Sequence, residues 1–166
     1  MKKFRKALLL ATLSLSAVCH AQQQIAIFSI NDFHGAFVRN DEKGIVGAPS
    51  VWQTLDSLKT IYPCNITVSA GDNFGGSYFY NATKGVLLPV FFNDLGIRIS
   101  ALGNHEFDDG QRSLAEKWNN SPLRPKNWDI TYVCSNVRRT DTGAVPDFAQ
   151  PVASVPLTLP NGSPFR

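Results

Sequence analysis

The chain has 166 residues, a formal net charge of +3 and 17% charged residues. Four cations, Lys2, Lys3, Arg5 and Lys6, lie in the first 21 residues, which hold no acidic residue, so the rest of the chain carries a formal charge of −1. A nearly neutral body lacks the positive field that binds nucleic acid, which excludes a nucleic-acid polymer as partner. The length suits one domain of ordinary size.

The first 21 residues have the pattern of a secretory signal peptide. The cationic start precedes an apolar run, Ala7–Val18, and small residues stand at Cys19 and Ala21, as a cut after Ala21 requires. The apolar run is shorter than the roughly 20 residues of a transmembrane helix. A lipoprotein cut before Cys19 is the alternative, although Val18 suits it poorly. We therefore predict a bacterial periplasmic or secreted protein with no membrane span.

Residues 22–166 alternate between apolar runs that predict strands and amphipathic stretches that predict helices. The predicted strands cover 24–30, 65–70, 97–102 and 130–137. The predicted helices cover 50–62, 86–95 and 111–119, while 78–84 is predicted to be a loop. This order, with short links, is typical of an α/β fold in which right-handed crossovers join parallel strands.

Three polar motifs follow the first three predicted strands. They are Asp32-Phe33-His34-Gly35, Gly71-Asp72-Asn73 and Gly103-Asn104-His105-Glu106-Phe107-Asp108. The carboxyl ends of parallel strands line one edge of a sheet, so we expect the three motifs to converge there. Any one of them alone is explained by a turn. All three together, in this order, favour a functional site.

The residue types in these motifs suit divalent cations. Carboxylate, imidazole and amide oxygen together favour zinc, manganese or iron. Asp32 and His34 can turn into one site where the strand bends into a loop. Asp72 has two oxygens with which to bridge two cations, and the neutral oxygen of Asn104 suits a site that also holds phosphate. Two cations about 3.5–4 Å apart activate a water and stabilise an in-line displacement at phosphorus.

His105 and Asp108 are the predicted catalytic residues. His105 follows Asn104 directly and so points elsewhere, where it can stabilise phosphoryl charge or protonate a leaving alcohol. Asp108 can accept a hydrogen bond from the second ring nitrogen of His105. Glu106 receives no ligand role, because it can equally cap or orient the loop. Asn73 can support a turn or contact substrate.

The chain resembles the calcineurin-like metallophosphoesterases, and more narrowly the amino-terminal part of the secreted 5′-nucleotidase family. The resemblance covers residues 24–137. The matching segments are 31–35, 70–77, 83–85, 102–110 and 135–137. It implies a four-layer α/β/β/α sandwich, of which this chain would form the first βαβαβαβ half. It also implies hydrolysis of nucleotides, nucleotide sugars or 2′,3′-cyclic nucleotides with two divalent metal ions such as zinc or manganese.

By this resemblance, Asp32 and His34 bind the first metal, Asp72 bridges, and Asn104 binds the second. The family completes the site with downstream histidines, and this sequence has no histidine after His105. We therefore expect 22–166 to be the amino-terminal portion of the domain, with its second half and the nucleotide-binding domain absent. The alternatives are an inactive fragment that binds metal or phosphate weakly, and hydrolysis of cyclic phosphodiesters or sulfur esters.

Overall fold

The computed structural model describes residues 24–110, Leu114 and 130–165. The predicted signal peptide over 1–21 lies outside these residues. So does the helix predicted over 111–119, apart from Leu114, which is helical and buried. Within the described part of the chain, no helix has the length and apolarity needed to cross a bilayer.

The predicted parallel sheet is confirmed. Its four strands lie side by side in chain order, and every neighbouring pair is parallel. The strands are β1 (Ala26–Ile30), β2 (Asn65–Ser69), β3 (Ile97–Ala101) and β4 (Thr131–Val133). Ser69 pairs with Ile30 on one side and with Ser100 on the other, so the carboxyl ends of the first three strands are level. The segments that follow these strands therefore start at the same edge.

Strand β4 is shorter than the predicted 130–137. Its pairing with β3 ends at Val133, opposite Ala101, the last residue of β3. On its other edge β4 meets Gln150, whose N–H donates to the carbonyl of Tyr132 at 2.8 Å and whose carbonyl accepts from the Cys134 N–H at 2.9 Å. Strand β4 thus ends where its neighbour β3 ends, although the predicted apolar run continues to Val137.

Three α-helices are described: α1 (Ala48–Ile61), α2 (Tyr78–Thr83) and α3 (Leu87–Asp94). Helices α1 and α3 confirm the prediction. Pro49 lies in the first turn of α1, where its missing N–H costs nothing. Gly96, just beyond α3, has a φ of 71°, the left-handed conformation that commonly ends a helix.

The loop predicted over residues 78–84 was wrong, because α2 forms there. The side chain of Ser77 accepts a hydrogen bond from the Tyr80 N–H at 2.9 Å, which satisfies a donor at the helix N-terminus. Tyr80 is 5% exposed and belongs to the core. The Ser77 cap and the buried Tyr80 ring together stabilise a helix in a stretch that has no clear helical periodicity.

The main core lies on one face of the sheet. Phe28 and Ile30 pack there against side chains from the helices, and Leu88 and Phe92 of α3 are completely buried. Ile27 belongs to the opposite face of β1 and is 69% exposed. The core therefore supports the sheet, and with it the site at its edge, from one side.

The Asn161-Gly162 pair forms a tight turn. The structure pairs Thr158 with Pro164 in an antiparallel bridge beside it. The Phe165 N–H donates to the Leu157 carbonyl at 2.9 Å. The turn signal is therefore satisfied by a short local hairpin.

Candidate metal centre

Backbone hydrogen bonds hold the first two motifs side by side. The Asp32 N–H donates to the Gly71 carbonyl at 3.0 Å, and the His34 N–H donates to the Asp72 carbonyl at 3.3 Å. The Gly35 N–H extends the series to Asn73 at 3.1 Å. The pairing of β1 with β2 thus continues past the strand ends, so the side chains of both motifs start from one fixed frame.

Three residues of the site have left-handed backbones. The φ angles are 50° at Asp32, 45° at His34 and 55° at Asp72. Residues other than glycine rarely adopt this region, and such conformations concentrate at functional sites. Gly76 adds a close approach, because a Cβ there would lie 2.8 Å from the Cβ of His34. Backbone strain at Asp32, His34 and Asp72 thus sets the direction of their side chains.

His34 is oriented through its ring nitrogen Nδ1, which is 3.1 Å from the Phe74 carbonyl oxygen. A carbonyl accepts only, so Nδ1–H donates to it and the neutral ring leaves a lone pair on Nε2. This is how metal-binding histidines are commonly held. The Nε2 atom lies 3.7 Å from Asp32 Oδ1. Asp32 and His34 therefore present two donor atoms to one point.

The carboxylate of Asp72 is held against the third motif. Its Oδ1 accepts a hydrogen bond from the His105 backbone N–H at 3.1 Å. A Cβ at Gly103 would overlap the same oxygen, so only glycine fits there. The first three strand ends thus meet at Asp72.

His105 and Asp108 form the predicted pair. Asp108 Oδ2 is 2.7 Å from His105 Nδ1. This hydrogen bond is the main reason that the pKa of His105 is raised above its usual value of 6.5. Desolvation, the next largest effect, opposes it, and the negative charges of Asp108, Asp72 and Glu106 raise the pKa further. The contact occupies Nδ1 and leaves Nε2 available. The rings of His34 and His105 meet edge to face, with centroids 4.8 Å apart.

The donor atoms of His34, Asp72 and His105 all lie within 4.8 Å of one another, so this group could hold a metal ion. Imidazole nitrogen and carboxylate oxygen suit zinc and manganese, so the residues present fit a divalent cation. His105 joins this group, whereas the sequence suggested a catalytic role for it. Asn104 is exposed and immediately precedes the 3-10 helix His105–Phe107. The structure thus brings all six predicted site residues to one edge of the sheet.

Comparison with known proteins shows partial relatives. No protein-family model matches the chain. It is 31% identical over 102 residues to an apyrase of Anopheles gambiae, covering 55% of this chain and 18% of that protein. It is 35% identical over 94 residues to an apyrase of Tabanus yao, covering 51% and 17%. A 5′-nucleotidase of Diplobatis ommata is 27% identical over 100 residues, covering 56% and 17%. The chain therefore spans less than a fifth of the length of these relatives.

Solved structures show the same likeness in three dimensions. The 5′-nucleotidase precursor from Thermus thermophilus superimposes with a TM-score of 0.63 and 26% identity, over 79% of this chain and 26% of that one. A calcineurin-like phosphoesterase from Bacillus subtilis superimposes with a TM-score of 0.59 over 85% of this chain and 45% of that one, at 19% identity.

The chain resembles the amino-terminal part of the 5′-nucleotidase family. Its fold is a partial calcineurin-like metallophosphoesterase fold, built on the four-stranded parallel sheet. This confirms the fold class and the resemblance that the motifs suggested. The ligand and catalytic roles of single residues remain predictions, to which the geometry above gives a physical basis.

Glu106 is the residue of this family motif that the sequence left unassigned. It is 3% exposed, and its carboxylate accepts hydrogen bonds from the backbones of Asp72, Asn73 and Gly103. Asn73 is completely buried, and its side chain bonds Glu106, so it supports the loop. In the sequence, the available sign of this loop-holding role is that Glu106 lies three residues after Gly103. That spacing lets a side chain form a hydrogen bond back to its own loop.

Proposed function

We propose that the protein is a metal-dependent phosphoester hydrolase that acts on extracytoplasmic nucleotides or nucleotide sugars. The observation that carries this proposal is the convergence of His34, Asp72 and His105 within 4.8 Å, at the carboxyl edge of a parallel sheet. The likeness to apyrases and 5′-nucleotidases supports phosphate esters of nucleotides as the substrate class.

Four side chains would hold the cations in this proposal. Asp32 and His34 would hold one, since Oδ1 and Nε2 already face each other at 3.7 Å. Asp72 would bridge two cations with its two oxygens, and Asn104 would add a neutral oxygen to the second. When bound, the cations would supply activation of a water and neutralisation of charge on the phosphoryl oxygens.

His105 would handle the proton. Asp108 holds Nδ1 at 2.7 Å and fixes the ring, so a proton on Nε2 can be directed at a phosphoryl oxygen or at the leaving oxygen. The raised pKa of His105 favours the protonated ring that such a donor needs. Asp108 would therefore act on the reaction through His105, by keeping its ring charged and oriented.

We also propose that the protein is exported to the periplasm or secreted. The support is the cationic and apolar pattern over residues 1–21, which ends in small residues. Processing as a lipoprotein at Cys19 is the competing route. Mass spectrometry of the mature amino terminus separates the two, because a lipoprotein would begin with a lipid-modified Cys19.

Ester hydrolysis, followed by chromatography of the products, tests the proposed activity, because UDP-glucose and 2′,3′-cyclic AMP can be cleaved without release of inorganic phosphate. The metal-stripped chain would be assayed with AMP, UDP-glucose, 2′,3′-cyclic AMP and an aryl phosphate, before and after addition of Mn²⁺ or Zn²⁺. We expect hydrolysis of at least one phosphate ester only after the cation is added, and none from Asp72→Ala. Hydrolysis that survives metal removal would contradict the proposal.

A second candidate is binding of metal or phosphate without turnover. It is favoured by one observation: the chain spans only 17% or 18% of the length of the curated relatives. Calorimetric titration with Mn²⁺ beside the same assays separates the candidates. Saturable binding without hydrolysis of any of the four esters would favour binding alone.

A further inference from the structure

Glu106 is a buried acidic side chain to which the proposed chemistry gives no part. Each of its two carboxylate oxygens accepts two hydrogen bonds. Oε1 accepts from the backbone N–H of Asn73 at 2.8 Å and from the Asn73 side-chain amide at 3.1 Å. Oε2 accepts from the backbone N–H of Asp72 at 3.0 Å and from that of Gly103 at 2.6 Å. One carboxylate therefore joins the loop after β2 to the loop after β3.

We propose that Glu106 is a positioning residue that fixes the loop of Asp72 against the loop of His105, so that the two side chains meet in the candidate metal centre. This inference rests on the proposed function for its consequence, which is cation affinity. It does not rest on that function for its geometry, which the hydrogen bonds of Glu106 to the two loops show directly.

The donors around Glu106 require a carboxylate. All four groups are N–H donors, and an ionised carboxylate is an acceptor with two oxygens. Hydrogen bonds to an ionised acceptor are roughly twice as strong as neutral ones. An amide of the same shape would keep one acceptor oxygen and turn an NH₂ group towards further donors. Glutamine therefore fits the space but not the bonding.

The network also explains how Asp72 keeps its left-handed backbone, with a φ of 55°. The Asp72 N–H is held by Glu106, while the Asp72 carboxylate is held by the His105 N–H at 3.1 Å. Asn73 anchors the arrangement to the sheet, since its side chain bonds Ser69 at 2.8 Å and Ser100 at 3.3 Å. Loss of the Glu106 contacts would release the backbone next to the proposed bridging ligand.

Glu106→Gln is the test, with Glu42→Gln as the matched control. Both changes remove one negative charge, but Glu42 is exposed on a loop. We expect Glu106→Gln to keep its circular dichroism spectrum and to bind Mn²⁺ about 10–100-fold more weakly than wild type. We expect Glu42→Gln to bind as wild type does. Wild-type affinity in Glu106→Gln would overturn the inference.

Two measurements on metal-free protein follow positioning directly. The His34 and His105 rings, 4.8 Å apart, should give a nuclear Overhauser effect in wild type that is lost in Glu106→Gln. If Glu106→Gln fails to fold, hydrogen exchange on the wild-type chain decides. We expect slow exchange at the backbone amides of Asp72, Asn73 and Gly103, and fast exchange at all three would overturn the inference. Absence of cation binding by the wild type would instead contradict the proposed function.

Discussion

At the scale of single residues, the site combines strained backbones with fixed side chains. A left-handed residue other than glycine costs about 1–3 kcal/mol, and Asp32, His34 and Asp72 all have this conformation. Hydrogen bonds between the first two motifs offset that cost. Such strain is kept where the direction of a side chain matters, which agrees with the donor atoms that the three residues bring together.

His105→Ala separates two roles for this imidazole. If it handles a proton, its removal should slow phosphate ester hydrolysis by about 10²–10⁴-fold while metal content stays near wild type. Hydrolysis rates and elemental analysis on one sample measure both. A loss of bound metal would assign His105 to the ligand set, consistent with its place beside His34 and Asp72. A variant as fast as wild type would remove both roles.

The charge state of His105 should depend on Asp108. The pKa of His105 is raised chiefly by the hydrogen bond to Asp108, so Asp108→Asn should lower it towards 6.5. Because the folded pKa is above the unfolded one, the contact stabilises the fold below about pH 6.5, and this contribution is lost as pH rises through the folded pKa. NMR titration of the ring protons in metal-stripped protein measures both variants. Equal His105 titration midpoints in wild type and Asp108→Asn would contradict the role given to the Asp108 hydrogen bond.

At the scale of elements, the site is built by three loops that leave level strand ends. The loops after β1 and β2 share backbone hydrogen bonds, and the loop after β3 packs on Asp72. Helix α2 is tied in by Ser77, whose hydroxyl donates to the Gly35 carbonyl at 2.7 Å and accepts from the Tyr80 N–H at 2.9 Å. The strand ends and helix α2 therefore both restrain the loops that carry the site.

Gly103→Ala tests the contact between the loops after β2 and β3. An added Cβ would overlap Asp72 Oδ1, so the carboxylate must move. We expect Mn²⁺ affinity to fall at least about 10-fold, on the scale seen when metal ligands lose their orientation. Gly110→Ala is the control: its φ of 83° strains an alanine, but nothing lies within 4 Å of a Cβ there, so it adds backbone strain without overlap. Equal affinity for the two variants would show that Asp72 has room to adjust.

Ser77→Ala should destabilise the protein by about 1–2 kcal/mol, because the helix cap and the bond to Gly35 are lost together. Ser57→Ala is the control, since Ser57 is exposed on α1 and bonds only within its helix. It should change stability by less than about 0.5 kcal/mol. Urea unfolding of both variants gives the comparison. Equal free energies of unfolding would show that the Ser77 cap contributes nothing.

At the scale of the molecule, one sheet carries its core on one face and its candidate site at one edge. The sequence predicted this plan because buried parallel strands are continuous apolar runs, and the motifs after them must then converge. It did not predict α2, since the Ser77 cap and the burial of Tyr80 outweighed weak helical periodicity. The early end of β4 follows from the end of its neighbour β3 at Ala101, which no local pattern within β4 shows.

The sequence also could not reveal how the loops are held. The left-handed angles at Asp32, His34 and Asp72 arise from contacts between motifs that are distant along the chain. The bonds of Glu106 to Asp72 and Gly103 depend on the same packing. Residue types predicted which chemistry the edge can support, whereas tertiary contacts decide which atoms face it. The ligand roles therefore stay predictions until a metal is observed.

The most direct test is anomalous X-ray diffraction at the zinc edge, from crystals of the metal-stripped chain soaked in Zn²⁺. We predict a peak within about 2.0–2.2 Å of His34 Nε2 and of a carboxylate oxygen of Asp72. The same soak of Asp72→Ala should give no peak at this edge of the sheet. Zinc bound without Asp72, or no zinc at the three motifs of the wild type, would contradict the metal centre on which the proposed hydrolase depends.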